Sequence, residues 1–327
     1  MKPTPSDVHV NAPLSNISVA YIQSADSFIA DKVFPNIPVS KQSDRYFTYD
    51  RGEFNRDEMQ LRAPATESAG GSYTIDSTPT YFCNEWSLHK DVPDQVRSNA
   101  DDAINPDREA TEWVTLKALI RREKIWVNSF FRTGVWSTDI AGVASGPTAG
   151  QTLKWNNDNS DPIKAVRDYK RQMRESTGFE VNTMTIGRAV YDALVDHPDV
   201  VDRLKYGQTP GAPAKGSQSA LQDLFEIEKI LVMNAVENIA AEGAAPNHKF
   251  IGGNKLLLSH SAKTPGLMTP SAGYTFSWTG MYGGSKNGTR IRQFRMENLK
   301  ADRVEIDLCI DEKLVAADLG ILISDLT

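Results

Sequence analysis

The residues able to do chemistry are few and badly spaced for it. The five histidines, His9, His89, His197, His248 and His260, are scattered with no second ligand at metal-binding spacing, so neither an HExxH pair nor a Cys/His cluster exists. Ser259-His260-Ser261 has the residue types of a hydrolase. Adjacent side chains diverge on most backbones, however, and no GxSxG elbow accompanies them. His197 precedes Pro198 where a helix should end, which suits a capping role. The run GGSKNG, residues 283–288, has phosphate-loop glycines, but Thr289 stands where the lysine belongs and no helix pattern follows; a tight turn at Asn287-Gly288 explains it better. The carboxylate pairs Asp101-Asp102 and Asp57-Glu58 lie in charged stretches, where solvation is the default. Cys83 and Cys309 lack CxxC spacing and read as free, partly buried thiols. No active site emerges, and the expectation is a protein without catalysis, cofactor or metal.

The elements that would have held such a site are more informative. The chain has 327 residues, 40% apolar and 24% charged, which allows about two domains or one elongated body with a real core. Its longest apolar runs are far below membrane-spanning length, and no secretory h-region opens it. A net charge of −6 argues against a dedicated nucleic-acid binder. The spacing predicts a long spine helix over residues 106–133, with Asn105 as N-cap, Pro106 in the first position and Gly134 in the left-handed position after its end. Ala110, Trp113, Leu116, Ile120, Val127 and Phe131 recur at steps of three, four and seven, which predicts that Trp113, Leu116, Ile120 and Val127 face the core. Trp126 is also read as packing.

Around the spine the chain divides into stretches of different character. Residues 1–40 form a proline-rich arm, amphipathic over residues 19–33 and extended through Phe34-Pro35-Asn36-Ile37-Pro38-Val39. Residues 41–80 form a long hairpin whose middle carries Arg51, Glu53, Arg56, Asp57, Glu58 and Arg62 with few apolar residues. A lone hairpin is marginal in water, so this one needs a surface outside itself, and a neighbouring subunit is the natural candidate. A polar helical lead-in is expected over residues 91–104 and loop over 134–159. Helices follow from Asp161-Pro162 to Gly178, over 188–195 and over 221–225, with strands at 183–186, 229–233 and 255–259. Residues 206–217 read as loop, and strands 274–278 and 290–295 flank the Asn287-Gly288 turn. At the end, Val304, Ile306, Leu308 and Ile310 alternate with Glu305, Asp307 and Cys309, with further strands at 313–317 and 320–323.

This order of parts, with SVAYIQSADSFIADKVFPNIPVSKQSDRYFTYDRGEFNRDEM at the front and RVEIDLCIDEKLVAADLGILISD at the back, resembles the major capsid proteins of tailed bacteriophages. The resemblance implies the α+β Hong Kong 97-type capsid fold. It assigns residues 1–40 to an N-terminal arm, 41–80 to an extended loop, and 81–160 with 296–327 to a peripheral domain around the spine. Residues 161–295 become an axial domain. It further implies hexamers and pentamers in an icosahedral shell enclosing double-stranded DNA, assembled in the host bacterial cytoplasm, with no membrane. DNA would be contacted non-specifically on the inner face; portal, scaffold and decoration proteins are the implied partners. The six charged loop residues would pair with an adjacent subunit. A scaffold would be separate or already removed, and the loop has no lysine for covalent linkage of subunits. The alternatives are an encapsulin-type nanocompartment and, remotely, a soluble hydrolase.

Overall fold

A computed structural model describes residues 23–100, 104–206, 218–266, 268–280 and 287–327. Two sheets carry the architecture. The first is built on the long strand Ala301–Leu314, which pairs antiparallel with Asn84–Pro93, Thr289–Met296 and Gly273–Trp278. The arm strand Asn36–Val39 extends this sheet by pairing parallel to Gly273–Trp278. The strands flanking the Asn287-Gly288 turn therefore do not form the hairpin that the turn suggests: both pair with Ala301–Leu314. Gly288 does adopt φ 69°, and residues 281–286 lie outside the described residues.

The second sheet has six strands in the order Lys229–Met233, Thr183–Gly187, Leu256–Ser259, Gly320–Ser324, Thr138–Val143 and Gln151–Leu153. Its faces alternate as the pleat requires. Leu256, Leu258, Ile321 and Ile323 point into a core closed by helices Pro162–Thr177, Arg188–Asp196 and Gln218–Phe225. Leu257 and Leu322 point the other way, onto Trp126, Phe130, Phe131 and the arm residues Ile29, Ala30, Val33 and Phe34. The arm thus packs into its own subunit's core from Phe28 to Phe34.

The spine helix runs Pro106–Phe130, and the Asn105 carboxamide accepts from the Arg108 N–H at 3.1 Å. It stops short of residue 133 because its terminal carbonyls find other partners: Trp136 Nε1 donates to Phe130 O at 2.7 Å and Lys255 Nζ to Phe131 O at 2.8 Å. Gly134 is left-handed, φ 81°, but lies beyond the helix end. The buried face also differs from the expectation. Ala110, Val114, Arg122, Glu123, Trp126 and Phe130 are buried, whereas Trp113 is exposed and Leu116, Ile120 and Val127 are half-buried. Stepping by four from Ala110 to Phe130, the stripe drifts about 40° per step and about 200° in all. The drift has a cause. The first half of the helix covers the five-stranded sheet at Val92, Val304 and Ile306, and the second half covers the six-stranded sheet. A helix bridging two sheets winds its apolar stripe from one to the other, and a fixed-face pattern misses this.

Other segments also depart from expectation. The lead-in over 91–104 begins as strand to Pro93 and continues as the short helix Asp94–Ser98, with residues 101–103 outside the described set. The loop expected over 134–159 holds the strands Thr138–Val143 and Gln151–Leu153. A helix Pro198–Tyr206 lies where no element was expected. The boundaries at residues 160 and 295 do not follow the sheets, since strands from both sides of each boundary share a sheet.

Candidate assembly interface

The groups with chemical potential are dispersed or sealed. Ser259 is fully buried with an unpartnered hydroxyl, while His260 Nδ1 lies 2.7 Å from the Glu180 carbonyl, so they make no nucleophile–base pair. Ser261 Oγ donates instead to Val33 O at 2.7 Å, tying down the arm. His197 caps the following helix, its Nδ1 accepting from the Asp199 N–H at 3.3 Å, and its Nε2 meets the buried Ser160 hydroxyl at 3.0 Å. Burial pushes the Cys83 thiol up to about 12 and the Cys309 thiol up to about 11, so neither is a thiolate at neutral pH. Among the described residues no group of acidic, histidine or cysteine side chains has metal-site geometry.

What the chain does present is a projecting loop. It leaves the body as a broken ladder, Ser43–Arg45 with Thr80–Phe82 and then Thr48–Tyr49 with Ile75–Asp76. Its root is fixed by Tyr81 stacked on Phe276, with ring centroids 4.5 Å apart, and by the Phe82 N–H donating to Asp311 at 2.8 Å. Farther out, Tyr49, Phe54 and Tyr73 form a small aromatic cluster with centroids 5.5–6.2 Å apart. The Glu53 carboxylate staples the strands by accepting from the Thr74 amide and hydroxyl. Beyond this point residues 55–74 are exposed, and Met59 and Leu61 stand out at 93% and 104%.

The charged residues of the loop divide in this single chain. Arg51 pairs with Asp318 of its own body at 2.7 Å, so it anchors the root. Arg56 meets Glu58 at a loose 3.8 Å, Asp57 accepts from the Met59 N–H at 3.2 Å, and Arg62 donates to Thr66 O. The exposed tip therefore carries Arg56, Asp57, Glu58 and Arg62 beside two uncovered apolar side chains.

A second exposed surface lies along Asn84–Pro93, an edge strand in this chain. Trp86, Leu88 and Trp113 are each 38–39% exposed there. Arg121 lies 3.6 Å over the Trp86 ring, and Lys90 and Lys117 flank Trp113 at 5.9 and 5.7 Å. Trp113 is thus a surface aromatic between cations, not a core anchor. The rim of this sheet is held by forked arginines: Arg97 on Asp107 at 2.7 and 3.0 Å, Arg295 on Asp94 at 2.6 Å twice, and Arg303 on Asp91 at 2.7 and 3.1 Å. Arg303–Asp91 is set by strand register and the other two by the packing of the helices Asp94–Ser98 and Pro106–Phe130, so sequence reasoning missed them.

Comparisons with known proteins bear on the fold and the family. The family model described as "Phage major capsid protein E" matches residues 146–272. A curated major capsid protein of Pseudomonas phage JBD67 is 27% identical over 313 residues, 95% of each chain. In fold, the chain matches the crystal structure of a phage-related protein from Bordetella bronchiseptica RB50, with TM-score 0.68, 21% identity and 93% and 94% of the two chains covered. It also matches the capsid of cyanophage P-SCSP1u, with TM-score 0.64, 12% identity and 98% and 93% covered. The fold is the Hong Kong 97-type capsid fold. Over nearly its whole length the chain is similar to phage major capsid proteins, which are structural proteins and not enzymes.

Proposed function

We propose that this chain is the repeating subunit of an icosahedral phage shell, arranged as hexamers and pentamers around double-stranded DNA. The observation that carries the reading is the loop: it is rigid at its root, exposed over residues 55–74, and tipped with apolar and charged side chains that its own body does not cover. An element of this kind is stable only when docked, and a closed shell lets every subunit donate one loop and receive another. In this reading the five-stranded sheet and the first half of the spine form the peripheral domain. The six-stranded sheet with its helices forms the axial domain, whose loops meet at five-fold and six-fold axes. The edge strand Asn84–Pro93, with Trp86 and Leu88, is a receiving surface of suitable chemistry for the loop of a neighbour. A portal, a scaffold, decoration proteins and non-specific contact with packaged DNA are the partners of this reading, with assembly in the host bacterial cytoplasm.

An encapsulin-type shell would use the same fold; phage relatives over 95% of the chain favour the capsid reading. Negative-stain microscopy of the purified protein tests the proposal. Closed particles tens of nanometres across are expected, and a protein that stays monomeric under all assembly conditions overturns it.

A further inference from the structure

The arm lies between the second half of the spine and the six-stranded sheet before it adds a strand to the five-stranded sheet, and two buried carboxylates stand along this path. Glu123, on the spine, is fully buried, and one of its oxygens accepts from the Ile29 and Ala30 amides at 3.1 and 2.9 Å. Glu312, on the long strand, is also buried and accepts from the Thr275 hydroxyl at 2.7 Å. Asn36 of the arm, Thr275 and Glu312 are consecutive partners across three strands, so their side chains share one face of the sheet. Each glutamate keeps a second oxygen buried without a hydrogen-bond partner, as does Arg122 at Nε. Unpartnered buried polar atoms are costly, and a packed core tolerates them only for a reason.

We propose that Glu123 and Glu312 act together as a proton-operated clasp that sets how firmly the arm is held to the body. Glu123 carries the grip, since its acceptor oxygen holds two arm amides. Glu312 is the proton holder, since its hydrogen-bonding compensation is the single Thr275 hydroxyl. The other charged groups facing the pair are Asp31 from the arm, Arg122 from the spine and Asp311 from the long strand; Gly273–Trp278 contributes the Thr275 hydroxyl. Arg122 favours the ionised forms, while Asp31 and Asp311 oppose them. Burial is the largest influence and pushes both glutamates up to about 7. In acid the pair is protonated and the arm stays seated. As the pH rises toward 7 the protons leave, two like charges are buried near one another, and release of the arm relieves them. This clasp is independent of how the shell is built and applies to the single subunit.

Hydrogen–deuterium exchange of the full-length chain from pH 5 to 8, corrected for intrinsic exchange, tests this. Protection of the 23–40 peptide is compared with that of the core strand Gly320–Ser324. Arm protection relative to the core should fall toward pH 7 and level off above it, by up to about tenfold per pH unit for each of the two protons released on opening. Glu312→Gln imitates the protonated acid and should reduce the slope while keeping protection high. Glu123→Ala removes the acceptor of both arm amides and should lower arm protection at every pH. A wild-type profile that is flat, or that falls in parallel with the core strand, overturns the clasp whether or not the variants fold. An unchanged slope in folded Glu312→Gln also overturns it.

Discussion

The winding stripe on the spine makes a quantitative prediction that the fixed-face pattern does not. Phe130 is fully buried, with its ring centroid 4.7 Å from Phe34, 5.6 Å from Trp126 and 6.2 Å from Trp136. Its neighbourhood is rigid on several sides, since a Cβ added at Gly273 would lie 2.8 Å from the same ring. Phe130→Ala should therefore leave a cavity that cannot collapse, at a cost of about 3–5 kcal/mol. Ile120 is half-buried, and Ile120→Ala should cost about half of the roughly 2–5 kcal/mol typical of a buried isoleucine. Urea unfolding of the unassembled full-length chain, followed by circular dichroism, gives both values from the midpoints. Thermal midpoints should shift by roughly 2–4 °C per kcal/mol. If Ile120→Ala proves as costly as Phe130→Ala, the apolar face has been placed wrongly.

Three further outcomes follow from the same packing. Gly320→Ala should destabilise by about 1–3 kcal/mol, measured by urea midpoint, because a Cβ there would sit 2.1 Å from the Trp136 ring. The stability contributed by Glu123 and Glu312 should be greatest below about 4.5, the ordinary carboxylate value, and be lost as pH rises to about 7, because the folded state holds these protons more tightly than the unfolded chain. Folded Glu312→Gln should then gain on wild type as pH rises, and a stability difference independent of pH would contradict this. Cys83 and Cys309 should resist a thiol reagent at pH 8 in the native chain and react at once in denaturant, since both are buried and protonated.

Local rules made much of the frame legible. Caps placed helix starts well: Asn105-Pro106 and Asp161-Pro162 each open a helix, and Gly178 closes one at φ 81°. Alternation in residues 304–310 marked part of the strand Ala301–Leu314, and the polar loop was visible as a segment that cannot bury itself. What failed were properties set by distant partners. Thr138–Val143 reads as loop because it is small and polar, and becomes strand by pairing with Ile321–Ser324. Asn287-Gly288 is a sound turn signal, but the long strand claims both flanking segments. The spine face could not be read because two sheets on different sides of the helix share it. Of the loop charges, Arg51 finds Asp318, a partner 267 residues away that no local pattern announces.

The central claim is that the exposed loop builds the shell. It is tested most directly by sedimentation velocity and electron microscopy of wild type beside a variant combining Met59→Ser, Leu61→Ser, Arg56→Glu and Arg62→Glu. All four residues are exposed, so circular dichroism of the variant should match wild type. The account predicts closed particles from wild type and folded, unassembled subunits from the variant. Closed shells of normal size from the variant would contradict it.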